Sequence, residues 1–79
     1  MDFILRYYGK LTAIAGCEQE EITLKNCHHT KELEKYLVDR YPAFSTIPVL
    51  LAANNQLLRD FDEIKEGMII DCMPPFSGG

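Results

Sequence analysis

Apolar residues alternate with polar ones near both ends of the chain and change to a helical spacing in the middle. Residues 3–8 are dominated by aromatic and β-branched side chains, which predicts a strand. Alternation puts Phe3, Leu5 and Tyr7 on one face and Ile4, Arg6 and Tyr8 on the other, with Arg6 marking the wetter face. Gly9 and Gly16 bracket residues 10–15, a loop with room for one helical turn. Residues 20–24 then set Ile22 and Leu24 at strand spacing, the return arm of a hairpin. The clearest helix covers residues 30–41. Thr30 is its expected N-cap, and Glu32 and Glu34 lie in the first turns, where the dipole favours anions. Leu33, Tyr36, Leu37 and Tyr41 form its apolar stripe, and Pro42 stops it.

Residues 47–53 are almost continuously apolar and predict a central strand; Asn54-Asn55 signals a turn, and residues 56–59 a short return strand. Residues 60–67 are polar and turn-like. Residues 68–73 are the last strand, with Met68, Ile70 and Cys72 facing one way and Ile69, Asp71 and Met73 the other. A hairpin followed by a helical crossover is expected to set the third strand parallel to an earlier one. The compact solution is α+β, with one main helix on one face of a mixed sheet of four to five strands. This is the β-grasp, or ubiquitin-like, arrangement, spanning residues 1–73 and followed by a separate tail, 74–79.

Size and charge narrow the function. Seventy-nine residues make one small domain with a thin core and little room for a deep catalytic pocket. A module acting with a larger partner is therefore expected, rather than an enzyme complete in itself. Twelve acidic against eight basic residues, net charge −4, argue against a nucleic-acid partner. No apolar run reaches the roughly 20 residues that span a bilayer, so no membrane partner is expected, and Met1-Asp2-Phe3-Ile4-Leu5 shows no basic leader. Three cysteines, Cys17, Cys27 and Cys72, form no C-x-x-C, which suits a reduced, cytoplasmic setting.

The most informative stretch is Met73-Pro74-Pro75-Phe76-Ser77-Gly78-Gly79. The two prolines keep the last strand from continuing. The six residues from Pro74 to Gly79 reach about 20 Å when extended. Gly78 and Gly79 lack Cβ atoms and can thread a channel that side chains would block. On these residues alone, a frayed terminus is the competing explanation.

The chain resembles the ubiquitin-like sulfur carriers, and among them the small, sulfur-carrying subunits of molybdopterin synthase. The resemblance is carried by Leu50-Leu51-Ala52-Ala53 before Asn55-Gln56, by Ile64-Lys65-Glu66-Gly67 and by Pro74-Pro75-Phe76-Ser77-Gly78-Gly79. It implies that a ubiquitin-activating-type adenylyltransferase uses ATP to adenylate Gly79. A persulfide sulfur donor then converts Gly79 to a thiocarboxylate, and the tail enters the large subunit of the synthase. There the sulfur passes to cyclic pyranopterin monophosphate to build the molybdopterin dithiolene. The chain itself is expected to bind no cofactor and no metal. A carrier for thiamine thiazole synthesis, a protein modifier conjugated through Gly79, and a non-covalent binding module are the alternative readings.

Parity adds a docking surface. Tyr8 and Met73 fall on the polar face, near the tail's exit if the first and last strands are neighbours, and Leu58 is expected to join them. The resemblance implies hydrophobic partner contacts at these positions, with tyrosine and methionine standing where phenylalanine is usual, and further contacts through Pro74, Pro75, Phe76 and Ser77. Cys27-His28-His29 reads as a solvated turn, because a zinc site needs three or four converging ligands. Cys17 has no basic neighbour to activate its thiol. Asp60, Asp62 and Glu63 read as a solvated loop rather than an acid–base pair.

Overall fold

A computed structural model of the chain describes residues 1–75. The elements are β1 (Asp2–Tyr7), α1 (Lys10–Ala15), β2 (Gln19–Thr23), α2 (Thr30–Arg40), a 3₁₀ turn (Pro42–Ser45), β3 (Leu50–Ala53), β4 (Gln56–Leu57) and β5 (Ile69–Met73). They form one five-stranded sheet in the order β2-β1-β5-β3-β4. The β-grasp expectation therefore holds, with corrections: the apolar run 47–53 is strand only over Leu50–Ala53, the central strand is β5, and the pairing of β3 differs. β3 does not run beside an earlier strand in parallel; it pairs antiparallel with β5, and the parallel ladder is β1 with β5. The helical crossover carries the chain past the place beside β1, and the last strand returns to fill it.

Period-two alternation decides which side of the sheet is covered. Phe3, Leu5 and Tyr7 of β1 and Ile70 and Cys72 of β5 are buried, and Leu33 and Leu37 of α2 join the same cluster. The segment between Gly9 and Gly16 is a true short helix whose Leu11 is fully buried. At the other turn, Asn54 and Asn55 both take positive φ (53° and 65°), the conformation that joins β3 to β4 through two residues.

The start of α2 differs from expectation. His29, not Thr30, is the N-cap residue, extended at φ −148°, ψ 169°. Thr30 is the first helical residue, and its Oγ1 donates to the Asp62 carbonyl (3.2 Å). The backbone N–H groups of Thr30 and Lys31 donate to the carbonyls of Asp62 (2.9 Å) and Asp60 (2.7 Å). The Glu32 carboxylate reaches back to the N–H groups of His28 (2.8 Å) and His29 (3.3 Å). Amides left unpaired by helix geometry are thus satisfied by a loop more than 25 residues away in sequence. Ile64, only 1% exposed, anchors that loop in the core.

A polar cluster closes the opposite end. The Glu20 carboxylate accepts from Tyr7 Oη (2.6 Å), Tyr41 Oη (2.7 Å) and Arg40 Nη2 (2.8 Å). Arg40 also donates to the hydroxyl oxygens of Tyr36 and Tyr41, each at 3.0 Å. The Tyr7 and Tyr41 rings meet edge to face at 6.1 Å. Burial and the bond to Glu20 push ionisation of Tyr7 well above the usual tyrosine range.

Glu20→Ala should strand the buried Tyr7 hydroxyl and cost about 1–3 kcal/mol. For a domain this small that lowers the melting midpoint by several degrees, and adding Tyr7→Phe should recover part of the loss. Thermal melts of the single and double variants check this.

Candidate functional site: the sheet face at the tail's exit

β1 and β5 run side by side with Ile4 opposite Ile69, Leu5 opposite Ile70, Arg6 opposite Asp71 and Tyr7 opposite Cys72. One residue further, the Tyr8 N–H donates to the Cys72 carbonyl (3.1 Å), so Tyr8 and Met73 are brought to the same end of the ladder. Tyr8 is 40% exposed, and Met73 is half-buried. Across the next ladder Met73 faces Leu50 and Asp71 faces Ala52, and Ala52 in turn faces Leu57. Residues directly opposite in a sheet share a face, so Tyr8, Met73, Leu50, Ala52 and Leu57 belong to the face away from α2.

Leu58 does not belong to that group. It is half-buried against the core cluster, while Leu57 is 60% exposed on the outer face. Two adjacent leucines at the end of a short strand look alike in sequence, and a one-residue slip exchanges their faces. Leu50 was hidden by a related ambiguity: an all-apolar run does not say which of its residues face outward. Its only signal is its pairing with Met73.

Arg6 and Asp71 hold the middle of this face. Arg6 Nε donates to Asp71 Oδ1 (2.7 Å), and Tyr8 Oη donates to the same oxygen (2.9 Å). These two bonds hold the Asp71 carboxyl below the ordinary carboxylate range, the Arg6 bond most of all. The same contact raises Tyr8 above the ordinary phenol value. The Tyr8 ring is thereby tied at its polar end while remaining open to solvent.

Gly9 sets where the tail begins. Its backbone takes φ 57°, ψ −137°, a region that essentially only glycine enters. A Cβ there would stand 3.3 Å from Pro74 Cγ. The missing side chain therefore lets the first proline of the tail lie against the β1–α1 turn. Pro74 is half-buried and Pro75 exposed; Phe76, Ser77, Gly78 and Gly79 lie outside the described residues.

The remaining candidates resolve into structure. Cys27 is 2% exposed, a core residue rather than part of a solvated turn. Burial pushes its thiol up, and pushes that of Cys72 up to about 12, so neither is an activated thiolate. His29 stacks edge-on with Phe61 at 5.2 Å. Among the described residues no three His, Cys, Asp or Glu side chains converge as metal ligands, and no helix is long and apolar enough to cross a membrane. The Asp62 carboxylate accepts from the Arg59 N–H (2.8 Å), and the loop's carbonyls serve the start of α2.

The arrangement defines a ubiquitin-like domain whose last strand, next to the first, runs into a proline-led tail beside an open, partly apolar face. The chain belongs to the ThiS family, whose model matches residues 5–79. It is similar to a molybdopterin synthase sulfur carrier subunit from Chlamydomonas reinhardtii, 26% identical with both chains covered in full. Among solved structures, one described as molybdopterin converting factor, subunit 1, from Pyrococcus furiosus superposes with a TM-score of 0.87 at 21% identity, covering 96% of this chain and 99% of that one. The small archaeal modifier protein 1 of Haloferax volcanii superposes with a TM-score of 0.78 at 14% identity, over 95% of this chain and 98% of its own. At these identities the two structural likenesses speak for the fold.

Because Asp71 is ionised more readily when folded, its contribution to stability is present above the unfolded value of 3.8 and is lost as pH falls through the lowered folded value. Asp71→Asn removes that term. Urea midpoints measured from about pH 6 down to about pH 2 should fall less steeply for D71N than for the native chain.

Proposed function

We propose that this chain is the sulfur-carrying small subunit of a molybdopterin synthase, with Gly79 as its working residue. The observation that carries the reading is Pro74-Pro75-Phe76-Ser77-Gly78-Gly79 following β5 of a ThiS-family domain. The name of the algal relative, which is aligned over its whole length, supports the choice of pathway.

The chemistry begins with a carboxylate, a poor acyl donor until it carries a good leaving group. The Gly79 carboxylate attacks the α-phosphorus of ATP on a ubiquitin-activating-type adenylyltransferase, releasing pyrophosphate and leaving an acyl-adenylate. The terminal sulfur of a persulfide donor attacks the acyl carbon and AMP departs. A thiol then cleaves the acyl disulfide, leaving a Gly79 thiocarboxylate and a disulfide. The charged tail enters the large subunit of the synthase, and its sulfur is transferred to cyclic pyranopterin monophosphate. Two such transfers supply the two dithiolene sulfurs.

In this division of labour the chain provides position rather than acid–base groups. Gly9 lets Pro74 lie against the β1–α1 turn where the tail starts, and the outer sheet face supplies the contact area. Tyr8 and Met73 are its contacts beside the exit, joined by Leu57 and Leu50, whereas Leu58 contributes from beneath by supporting β4. Pro75, Phe76 and Ser77 span the distance to the partner's site, and Gly78 passes its narrowest part. Docking on a large subunit would cover the apolar part of the face while leaving Arg6 and Asp71 at its centre, paired with each other.

Deleting Gly79, or adding one residue after it, should abolish sulfur transfer to the pterin in a reconstituted system while leaving the melting midpoint unchanged. Transfer by the extended chain would sink the proposal. Transfer of sulfur to a thiazole precursor but not to the pterin would move the chain to thiamine synthesis. High-mass conjugates that vanish with Gly79 would make it a modifier.

A further inference from the structure

On the opposite side of the molecule from the outer sheet face, a hollow of about 290 Å³ lies between α2, the 3₁₀ turn and the approach to β3. Leu37, Val38, Phe44, Ile47 and Val49 line it, together with one carboxylate, Glu34. A second hollow of about 240 Å³ shares Glu34, Val49 and Leu51 with the first, carries Asp60 in its wall and reaches Leu50 and Leu57 at the edge of the outer sheet face. Glu34 thus stands between two apolar recesses. Its Oε1 is buried and has no hydrogen-bond partner among the described residues. Lys31, one turn earlier on α2, pairs with Asp60 instead (4.0 Å).

A buried carboxylate oxygen without a donor is unfavourable, and native structures retain few such groups. A cationic N–H donor satisfies a carboxylate oxygen most strongly, and the apolar walls around it suit an aliphatic stem. We infer that this trough receives a lysine or arginine side chain of a partner protein, with apolar neighbours of that residue entering the recesses on either side. The chain's net charge of −4 draws a basic partner. The trough is also near the tail: Val49 precedes Leu50, which pairs with Met73, two residues from Pro75. The inference stands independently of the chemistry at Gly79.

The test is a ¹H–¹⁵N titration of the full chain with the capped tripeptide Ac-Leu-Lys-Leu-NH₂. The controls are the same peptide with norleucine for lysine, and n-butylamine. Saturable shifts at Leu37, Val38, Phe44, Ile47 and Val49 are expected, with both controls at least about tenfold weaker. Glu34→Gln should weaken the lysine peptide toward the norleucine control. Glu34→Leu, which removes the unpartnered carboxylate, should raise the melting midpoint. Equal binding of the norleucine peptide, or binding unchanged in E34Q, would overturn the inference. So would n-butylamine binding as tightly as the peptide, which would make this a small-amine site. A lower melting midpoint in E34L would show that Glu34 serves the fold instead.

Discussion

The first and last strands lie side by side, Ile4 opposite Ile69 and Tyr7 opposite Cys72, and this parallel pairing decides where the tail begins. It is built from residues far apart in the chain, so the whole helical crossover lies within the loop it closes. Leu5 and Ile70, both fully buried, face each other on its covered side. On its open side the Arg6–Asp71 pair closes at 2.7 Å, and Tyr8 leans on the same carboxylate. The last strand cannot shift by one residue without exposing Ile70 and Cys72 and burying Asp71. Register here is therefore strongly fixed, and with it the starting point of the proline-led segment.

The two ends of the fold are closed by different means. At one, backbone carbonyls of the 60–64 loop take up the free amides of α2 while Ile64 plugs the core beneath. At the other, Glu20 gathers two tyrosine hydroxyls and an arginine. A chain of 79 residues has few apolar side chains to spare, so the partnered polar groups at these two ends, the α2 amides and the Glu20 carboxylate, add definition that packing alone does not supply. Large apolar side chains are left to solvent on the outer sheet face, at Leu50, Leu57, Ile69 and Tyr8, and in the loop after β4, at Phe61. Open apolar side chains on the sheet face lie beside the point where β5 gives way to Pro74 and Pro75.

Local periodicity made much of this legible. The alternation through residues 3–8 and 68–73 gave the correct faces, and the helix stripe gave Leu33 and Leu37 as core. What escaped depends on contacts between distant segments. Thr30 looks like an N-cap, yet the chain entering α2 is held by the 60–64 loop, so the cap moves to His29. Cys27 sits among polar neighbours and still points into the core. Leu57 and Leu58 differ only by which one faces outward, a choice set by pairing with Ala52. Gly9 read as a plain turn residue, because its contact with Pro74 joins two ends of the sequence. Glu20 carried no motif at all, and Glu34 read only as an acid in the first turns of the helix; one is fully partnered, and the other has a buried oxygen with none among the described residues.

The measurement closest to the centre of this account is the intact mass of the protein purified from its own cells, with the terminal peptide sequenced. Carriage of sulfur predicts a mass gain equal to replacing one oxygen by sulfur, localised to Gly79. If the carboxylate is unmodified and stays inert after incubation with an activating enzyme, ATP and a persulfide donor, the sulfur-carrier account is contradicted.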